Sequence, residues 1–555
     1  MLNPSLRFFR PRPILLAAAA VLAAAFASSA AADAGPTTTT FRTSVPEIHS
    51  LWHLIRATLG ANRVAFAGRS GPVSAFSAGR LYPQVWIRDA ATTIQASRYY
   101  SPEGEIVSWL EELLAFQEAG GGLPDWFDSR GRSDKNTTET DQEASAILAA
   151  ARAVEILGPG WLEKKIAGRP ILDRLDLALS FVLEQRFDPE RGLVKGAHTA
   201  DWGDVGMEDA AQTAIYAGRG TRWTADIYDQ SMFYGAARAL AGMLRQAGRP
   251  ERADFWTRRA ESVREAADRL LWQESRGFYR VHVHLDALVH PFDEDDMFAM
   301  GGNAEAVVSG LAGPEKAVRI IRTALARQEA FRMPTIGATL LPPYPKGTFK
   351  HPMVDDPYEY QNGGLWDWFA GRLVRAMFDH GYSASARAKL LEIARKNIAA
   401  GGLHEWDAPD GSGRGSPIFA GSAGSLAAAV VEGYFGVRLT RDGCRLEPRL
   451  AEDGARVFFR LPASGGSAAY EYSWNPAERQ VTFRYESPSS RPGGIRLLLP
   501  RALSEAELDV RRDGRPVPFS IERSGEDVLL VLETDFDPHT LILRTKKSSE
   551  GRSRS

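Results

Sequence analysis

Cysteine is nearly absent from this sequence. Cys444 is the only cysteine among 555 residues, so no disulfide can form within the chain and burial of apolar side chains must hold the fold together. Its position, far from the start of the chain, also excludes an acylated cysteine next to a leader, so we expect no lipid anchor. The apolar content of 44% is ordinary for globular chains, and the length favours two or more hydrophobic cores.

An excess of positive charge is missing as well. The formal net charge is -2 at pH 7, whereas nucleic-acid binding requires a clustered positive surface. Basic residues cluster only in the Ser-rich segment 546–555, which we expect to be a disordered tail. We therefore expect no nucleic-acid partner.

No apolar run is long enough to span a bilayer. The longest, Ile14–Phe26, has about 13 residues, and a transmembrane helix needs about 20. Arginines precede this run and the small residues Ala30–Ala32 follow it, which is the layout of a secretory signal peptide. We predict a signal peptide over 1–32 and a linker over 33–45. The protein is then exported, periplasmic or extracellular, without membrane contact after cleavage.

Motifs for several kinds of catalysis are missing too. The sequence has no G-x-S-x-G nucleophile elbow, no glycine-rich phosphate loop after a predicted strand and no HExxH helix. His282 and His284 alternate on a predicted strand, and His290 follows them. Acids occupy 293–296, but the combined spacing fits no paired-cysteine or helical zinc pattern. We expect neither a metal nor a cofactor.

Helical periodicity dominates the chain from 46 to 436. Apolar residues recur at i, i+3, i+4 and i+7 in twelve stretches separated by Gly- and Pro-rich loops. Short connections after Tyr100, Ala247, Ala312 and His380 predict antiparallel neighbours, so the helices pair into six hairpins. We predict a mainly α fold, an (α/α)6 barrel over 46–436, with helices at 46–59, 88–100, 104–118, 139–157, 170–187, 224–246, 249–272, 301–312, 314–329, 362–380, 382–400 and 421–435.

The longer connections occur at every other junction and are rich in Trp, Gly, Asp and Tyr. In a barrel of six hairpins such loops all lie at one end, and loops gathered on a rigid scaffold are where a pocket forms. We therefore expect the functional residues in the segments 60–87, 119–138, 188–223, 273–300, 330–361 and 401–420.

After Gly436 the pattern changes from helix to strand. Short β-rich runs are divided by Gly, Pro, Asn and Asp, and Val481, Phe483 and Tyr485 alternate with polar residues so that they share one face. We predict a β-sandwich over 437–545 that covers and stabilises the barrel.

The first cluster that could carry chemistry is WIRDAATTI, at the start of a predicted helix. Arg88 and Asp89 could hydrogen-bond neighbouring hydroxyls of one sugar, as donor and acceptor, while Trp86 offers an apolar face. The alternative is a helix start in which the acid is favoured by the helix dipole.

The second cluster is HTADWGDVGMED, in which Asp201, Asp204, Glu208 and Asp209 surround Trp202. A carboxyl group that is desolvated beside Trp in a cleft can have a raised pKa, as a general acid near neutral pH requires. The alternative is a solvated acidic loop. Asp201 and Asp204 are both candidates.

The third cluster is GGLHEWDAPDGSGRGSP, before the last predicted helix. Glu405 lies between His404 and Trp406, a setting in which a carboxylate could hold and deprotonate a water. An Asp/Gly turn explains the residues that follow, but not these aromatic neighbours. Further aromatic and amide groups that suit a carbohydrate pocket are Trp126, Trp202, Tyr360, Gln361, Asn362 and Trp366.

With these clusters in place, the chain resembles the six-hairpin glycosidases, closest to glycoside hydrolase family 63 and the related glucoamylases, trehalases and glycogen-debranching glucosidases. The most specific stretch runs from YQNGGLWDW to GGLHEWDAPDGSGRGSP. The resemblance implies that Glu405 is the general base and that Trp86, Arg88 and Asp89 clamp a sugar. It implies that the general acid is Asp201 or Asp204, with Asp204 favoured because it lies beyond Trp202.

The reaction implied by the resemblance is hydrolysis with inversion of a short oligosaccharide or glycoside, with α-glucosidic substrates favoured. The two carboxyl groups then lie about 6.5–9.5 Å apart, because a water must fit between one of them and the sugar. Two alternatives remain open. One is a glycan phosphorylase of the same fold, and the other is a non-catalytic carbohydrate-binding protein.

Overall fold

The computed structural model describes residues 38–134, 141–208, 221–488 and 491–546. The predicted signal peptide, Asp209 and nearly all of the predicted tail lie outside the described residues. Within the described ranges, no helix combines the length and the apolar character needed to cross a membrane.

All twelve predicted helices are present in the described part of the chain. Their ends differ from the predicted ones by a few residues, most at two helices. The predicted helix 362–380 begins only at Asp367, since Gly363 has a left-handed φ of 97°. The predicted helix 421–435 is α-helical only to Ala428 and continues as a π-helix over Ala429–Tyr434. The helices are α1 (Pro46–Ala61), α2 (Ile87–Ser97), α3 (Glu103–Ala115), α4 (Asp141–Leu157), α5 (Ile171–Gln185), α6 (Ile227–Gln246), α7 (Pro250–Leu270), α8 (Met300–Ser309), α9 (Pro314–Ala330), α10 (Asp367–Asp379), α11 (Ser383–Ala400) and α12 (Ala420–Ala428).

The even-numbered helices form a closed ring. Each of α2, α4, α6, α8 and α10 contacts the next even-numbered helix, and α12 contacts α2. The odd-numbered helices pack outside this ring, for example α7 on α6 and α11 on α10. Small residues permit the close contacts inside: a Cβ added to Gly424 of α12 would lie 2.5 Å from the carbonyl oxygen of Thr92 in α2.

The order of the elements places every long loop at the same end of the ring. Each long connection leaves an outer helix and enters an inner one at its N-terminus. Short antiparallel ladders brace these entries, such as Val85–Trp86 with Trp126–Phe127 before α2 and Trp406–Asp407 with Gly413–Arg414 before α12. The aromatic and acidic loops predicted from the sequence therefore meet at the N-terminal ends of the inner helices.

Two sheets follow the helical region. The predicted alternation holds, because Val481, Phe483 and Tyr485 are buried whereas Arg484 and Glu486 are exposed. The seven-stranded sheet has the order Thr40–Thr43, Ala455–Arg460, Ser467–Asn475, Gln480–Glu486, His539–Thr545, Leu508–Arg512 and Arg515–Pro516. The five-stranded sheet has the order Val437–Thr440, Gly443–Leu446, Gly493–Leu498, Asp527–Thr534 and Ser520–Ser524.

The structure differs from the predicted linker at one point. Thr40–Thr43 is an edge strand that pairs antiparallel with Ala455–Arg460, so this segment belongs to a sheet built mainly from the end of the chain. Further polar contacts join the sheets to the helices. The hydroxyl of Tyr470 donates to the carbonyl oxygen of Phe435 at 2.9 Å, and Asp527 accepts from the backbone N–H of Ser383 at the start of α11.

Candidate active site

A pocket opens where the long loops meet, at the N-terminal ends of the inner helices. Its walls come from the loops that precede α2, α6, α10 and α12 and from the starts of α2 and α10. Aromatic and carboxylic side chains dominate the lining, which consists of Ala78, Tyr82, Trp86, Arg88, Asp89, Trp202, Asp204, Met353, Tyr360, Gln361, Trp366, Trp368, Glu405 and Phe419.

Glu405 reaches the pocket from the loop before α12. Its carboxylate accepts hydrogen bonds from the Tyr82 hydroxyl, at 2.9 and 3.1 Å, and from the backbone N–H of Ser416 at 2.8 Å. The residue is only 3% exposed. Burial raises the pKa of Glu405 to about 7; the Ser416 and Tyr82 hydrogen bonds oppose this, and the negative charge of Asp204 adds to it.

The loop around Glu405 needs glycine at one point. Gly415 has a φ of 63°, in the left-handed region, and a Cβ there would overlap the carboxylate of Glu405. The preceding hairpin, Trp406–Asp407 with Gly413–Arg414, returns the chain so that Ser416 lies beside the carboxylate. The Gly/Ser-rich stretch of the sequence therefore positions Glu405.

Asp204 enters the pocket from the loop before α6. The side-chain amide of Gln361 donates to its Oδ1 at 2.9 Å, and its backbone N–H donates to the Oε1 of Gln361 at 3.3 Å. Its Oδ2 lies 3.8 Å from the guanidinium of Arg88, and 20% of its side chain is exposed. One amide thus fixes the orientation of Asp204 while part of the carboxyl group stays open to the pocket.

Asp201 has a different environment, although it lies in the same loop. Its carboxylate accepts the backbone N–H groups of Gly301 at 2.7 Å and Gly302 at 2.9 Å, in the first turn of α8. Burial raises the pKa of Asp201 to about 7, against the effect of these N–H groups. Among the described residues, Asp204 and not Asp201 belongs to the pocket lining.

The predicted trio before α2 lines the pocket together. Arg88 donates to the Oδ2 of Asp141 at 3.0 Å and to the carbonyl oxygen of Trp202 at 3.2 Å. Burial raises the pKa of Asp89 to about 7, Arg88 opposes this and the other carboxylates of the pocket add to it. The Oδ1 of Asp89 and the Nε1 of Trp86 are buried and have no hydrogen-bond partner in the described ranges.

Four further predicted residues line the pocket, and one supports it. Trp202, Tyr360, Gln361 and Trp366 belong to the lining, and the Nε1 of Trp366 donates to the carbonyl oxygen of Tyr360 at 2.9 Å. Trp126 lies behind the lining and packs on Trp86 with ring centroids 6.3 Å apart.

The structure places Asn362, His404 and Trp406 outside the lining. Asn362 holds a loop instead: its Oδ1 accepts from the backbone N–H of Tyr344 at 2.8 Å, and its amide donates to the carbonyl oxygens of Tyr344 and Val354. Because successive residues of an extended segment point to opposite sides, the neighbours of Glu405 face away from the pocket. His404 lies against Gly413 and Trp406 packs near Tyr360.

Several lining residues were missed in the sequence. Tyr82 lies a few residues before the predicted site residue Trp86, and this short spacing was the available signal. Trp368 is buried at 1% exposure and also borders the pocket. Met353 and Phe419 carry no polar group that would have marked them.

The part of the chain that forms the pocket matches a known protein family. Residues 82–422 match the family model of the mannosylglycerate hydrolase MGH1-like glycoside hydrolase domain. No curated protein matches the chain.

Three solved structures are similar to the chain. A family 78 rhamnosidase of Bacillus sp. GL1 has a TM-score of 0.58 at 18% identity, over 84% of this chain and 43% of the other. The α-L-rhamnosidase of Dictyoglumus thermophilum has a TM-score of 0.61 at 14% identity, over 92% and 50%. A family 63 mannosylglycerate hydrolase of Thermus thermophilus has a TM-score of 0.49 at 18% identity, over 68% and 99%. The chain spans about half the length of the two rhamnosidases, and at these identities the likeness concerns the fold alone.

The family match settles the resemblance seen in the sequence. It covers more than half of the chain and includes the lining residues from Tyr82 to Phe419. The chain therefore belongs to the MGH1-like family of glycoside hydrolases.

Proposed function

We propose that this chain is an exported glycoside hydrolase that cleaves a short oligosaccharide or glycoside with inversion. The observation that carries the proposal is that Asp204 and Glu405, from loops far apart in the sequence, line one pocket. Inverting hydrolysis needs two carboxyl groups on opposite sides of the scissile bond, one to protonate the leaving oxygen and one to activate water. The closed ring of helices and the two sheets are then the (α/α)6 barrel and β-sandwich of the six-hairpin glycosidases.

Asp204 is the proposed general acid. Its Oδ1 is occupied by the amide of Gln361, which leaves Oδ2 as the atom that faces the pocket near Arg88. A proton on this oxygen would pass to the glycosidic oxygen as the bond breaks. Asp201 is not the proposed acid, because both of its oxygens accept backbone N–H groups of α8.

Glu405 is the proposed general base. The Tyr82 hydroxyl and the Ser416 N–H fix the carboxylate in one orientation, and a fixed orientation favours proton abstraction from a water on one face of the sugar. A pKa of about 7 leaves a large fraction ionised near neutral pH while keeping the group basic.

The remaining lining suits one sugar ring. The buried Oδ1 of Asp89 and Nε1 of Trp86 are an acceptor and a donor that sugar hydroxyls would satisfy. Aromatic side chains such as Trp366, Tyr360 and Phe419 provide apolar walls against sugar C–H groups. An α-linked glucoside is the first substrate to test, and the resemblance to the six-hairpin glycosidases is the reason.

Hydrolysis fits this pocket better than phosphorolysis. Among the described residues, three carboxyl groups, those of Asp89, Asp204 and Glu405, line it together with a single guanidinium, that of Arg88, so a phosphate dianion would be repelled. A protein that only binds sugar would not need a carboxylate held by a tyrosine opposite a second carboxyl group.

Replacement of Glu405 by Gln should abolish turnover. We expect kcat to fall by about 10²- to 10⁴-fold, because the amide cannot accept a proton from water. Steady-state kinetics on a cleaved glycoside checks this, with circular dichroism to verify the fold. D410N is the matched control, since Asp410 is an exposed carboxylate of the same loop, and it should keep wild-type kcat. Wild-type activity of E405Q would reject the assignment.

The D204N variant should show a loss that depends on the leaving group. With a sugar or alkyl leaving group, kcat should fall by about 10²- to 10⁴-fold, because the oxygen then needs a proton from the acid. With a nitrophenolate leaving group, which departs without protonation, the loss should be much smaller. E208Q removes a carboxylate from the exposed part of the same loop, where Glu208 pairs with Arg222, and should behave as wild type. An equal loss on both substrates would contradict the role of Asp204.

The pH profile should report the ionisation of Glu405. The base must be ionised, so kcat/KM should fall on the acidic side with an apparent pKa of about 7. The hydrogen bond from Tyr82 lowers the pKa of Glu405, so Y82F should move the acidic limb to higher pH. Y100F is the control, since the Tyr100 hydroxyl is buried without a hydrogen-bond partner in the described ranges. An unmoved limb in Y82F would refute the assignment of this limb to Glu405.

A further inference from the structure

Four histidines surround one glutamate outside the pocket. His198 lies in the loop before α6, His282 and His284 lie on the strand His282–His284, and His290 and Glu294 follow in the loop before α8. A three-stranded ladder explains the meeting: Trp223–Asp226 pairs with Gly196–Ala197 on one side and with His282–His284 on the other. The fold therefore brings together histidines that are remote in the sequence.

The geometry of this group is that of a metal site. One ligand atom each from His198, His284, His290 and Glu294 lie within 4.8 Å of one another. The Nε2 of His284 is 2.7 Å from Oε2 of Glu294, and the Nε2 atoms of His198 and His290 are each 3.4 Å from its Oε1. Tetrahedral zinc with bonds of 2.0–2.1 Å places its ligand atoms about 3.4 Å apart, so side-chain shifts of about an ångström suffice.

Burial of the histidines and Glu294 destabilises the folded state when no ion is bound. His198 and His282 are 1% and 2% exposed. The Nε2 of His290, which faces Oε1 of Glu294 at 3.4 Å, is buried without a hydrogen-bond partner of suitable geometry among the described residues. Leaving such a buried polar atom unsatisfied destabilises the folded state.

We propose that His198, His284, His290 and Glu294 bind one transition-metal dication, with Zn²⁺ the best fit. Three imidazoles and one carboxylate are a borderline-soft ligand set that suits Zn²⁺ rather than Mg²⁺ or Ca²⁺, which prefer oxygen ligands. The protein supplies all four ligands, which is typical of a structural site rather than a catalytic one.

The residues around the ligands support the same assignment. The hydroxyl of Tyr344 donates to Oε1 of Glu294 at 2.6 Å and lies 3.2 Å from Nδ1 of His282. Hydrogen bonds of this kind orient the ligands of a metal centre. His282 and Tyr344 are therefore positioning residues, and the four proposed ligands remain available to the ion.

The site also connects to the pocket through a short chain of contacts. The backbone of Tyr344 is held by Asn362, and the adjacent Gln361 holds Asp204. A bound ion would thus fix the two loops that orient Asp204. This consequence rests on the proposed function, whereas metal binding itself does not.

The sequence predicted no metal site, because the spacing of His282, His284 and His290 with the acids that follow fits no zinc-binding pattern. The fourth histidine, His198, lies in a different loop and reaches the group only through the pairing of Trp223–Asp226 with both neighbours.

Metal content tests the proposal directly. The full chain, produced without a histidine tag, is incubated with Zn²⁺ alone, desalted and analysed by inductively coupled plasma mass spectrometry. We expect about one tightly bound Zn²⁺ per chain in the wild type and almost none in H284A and in E294Q. Absence of tightly bound Zn²⁺ in the wild type, or its retention in both variants, would overturn the proposal.

A surface histidine pair provides the matched control. His49 and His53 are exposed on successive turns of α1 with ring centroids 4.7 Å apart, an arrangement that could hold adventitious metal. H49A/H53A should keep the tightly bound Zn²⁺, and its loss in this variant would place the ion on the surface instead.

A second readout covers the case in which H284A fails to fold. Zn²⁺ should raise the melting temperature of the wild type and of H49A/H53A but not that of E294Q, because an ion that binds only the folded state stabilises it. If neither ligand variant folds, the number of Zn²⁺ ions bound per wild-type chain alone decides whether the metal site exists. Metal content is measured without substrate, so the two proposals can fail independently. A protein that holds one Zn²⁺ but is inactive would reject only the glycosidase proposal. A protein that is active but binds no Zn²⁺ would reject only the metal site.

Discussion

Negative charge gathered in one partly buried pocket is the constraint on which the site depends. Asp89, Asp204 and Glu405 line it together, and burial, reinforced by their mutual repulsion, raises the pKa of Asp89 and of Glu405 to about 7. Arg88 and the hydroxyl of Tyr82 oppose that charge without cancelling it. A carboxyl group with a pKa of about 7 can accept and release a proton near neutral pH, which is what the base role proposed for Glu405 requires.

The architecture makes this concentration of charge possible. Every long loop enters an inner helix at its N-terminus, so the positive ends of the helix dipoles face the same side as the acids. Asp201 shows the effect at close range, because it accepts two backbone N–H groups from the first turn of α8. Small residues such as Gly424 keep the ring tight, and the two sheets are joined to it through contacts such as that between Asp527 and Ser383.

Local patterns in the sequence predicted much of this fold and only part of the site. Helical periodicity marked all twelve helices, because each buries one face against a neighbour. The aromatic residues on either side of Glu405 indicated that it belongs to the site, but the pattern could not show that His404 and Trp406 face away from the pocket. Nor could it separate Asp201 from Asp204: which of two nearby acids meets the start of α8 depends on tertiary packing. The histidine group could not be predicted from the sequence for the same reason, since it forms only when the strands pair.

In the proposed mechanism, Asp204 and Glu405 act from opposite sides of the scissile bond in a single displacement. The most direct measurement is proton NMR of the first-formed sugar during cleavage of an α-glucoside or another accepted glycoside, before mutarotation. We expect the product to appear first as the anomer opposite to that of the substrate. Initial release of the same anomer would show a double displacement through a covalent intermediate and would contradict it.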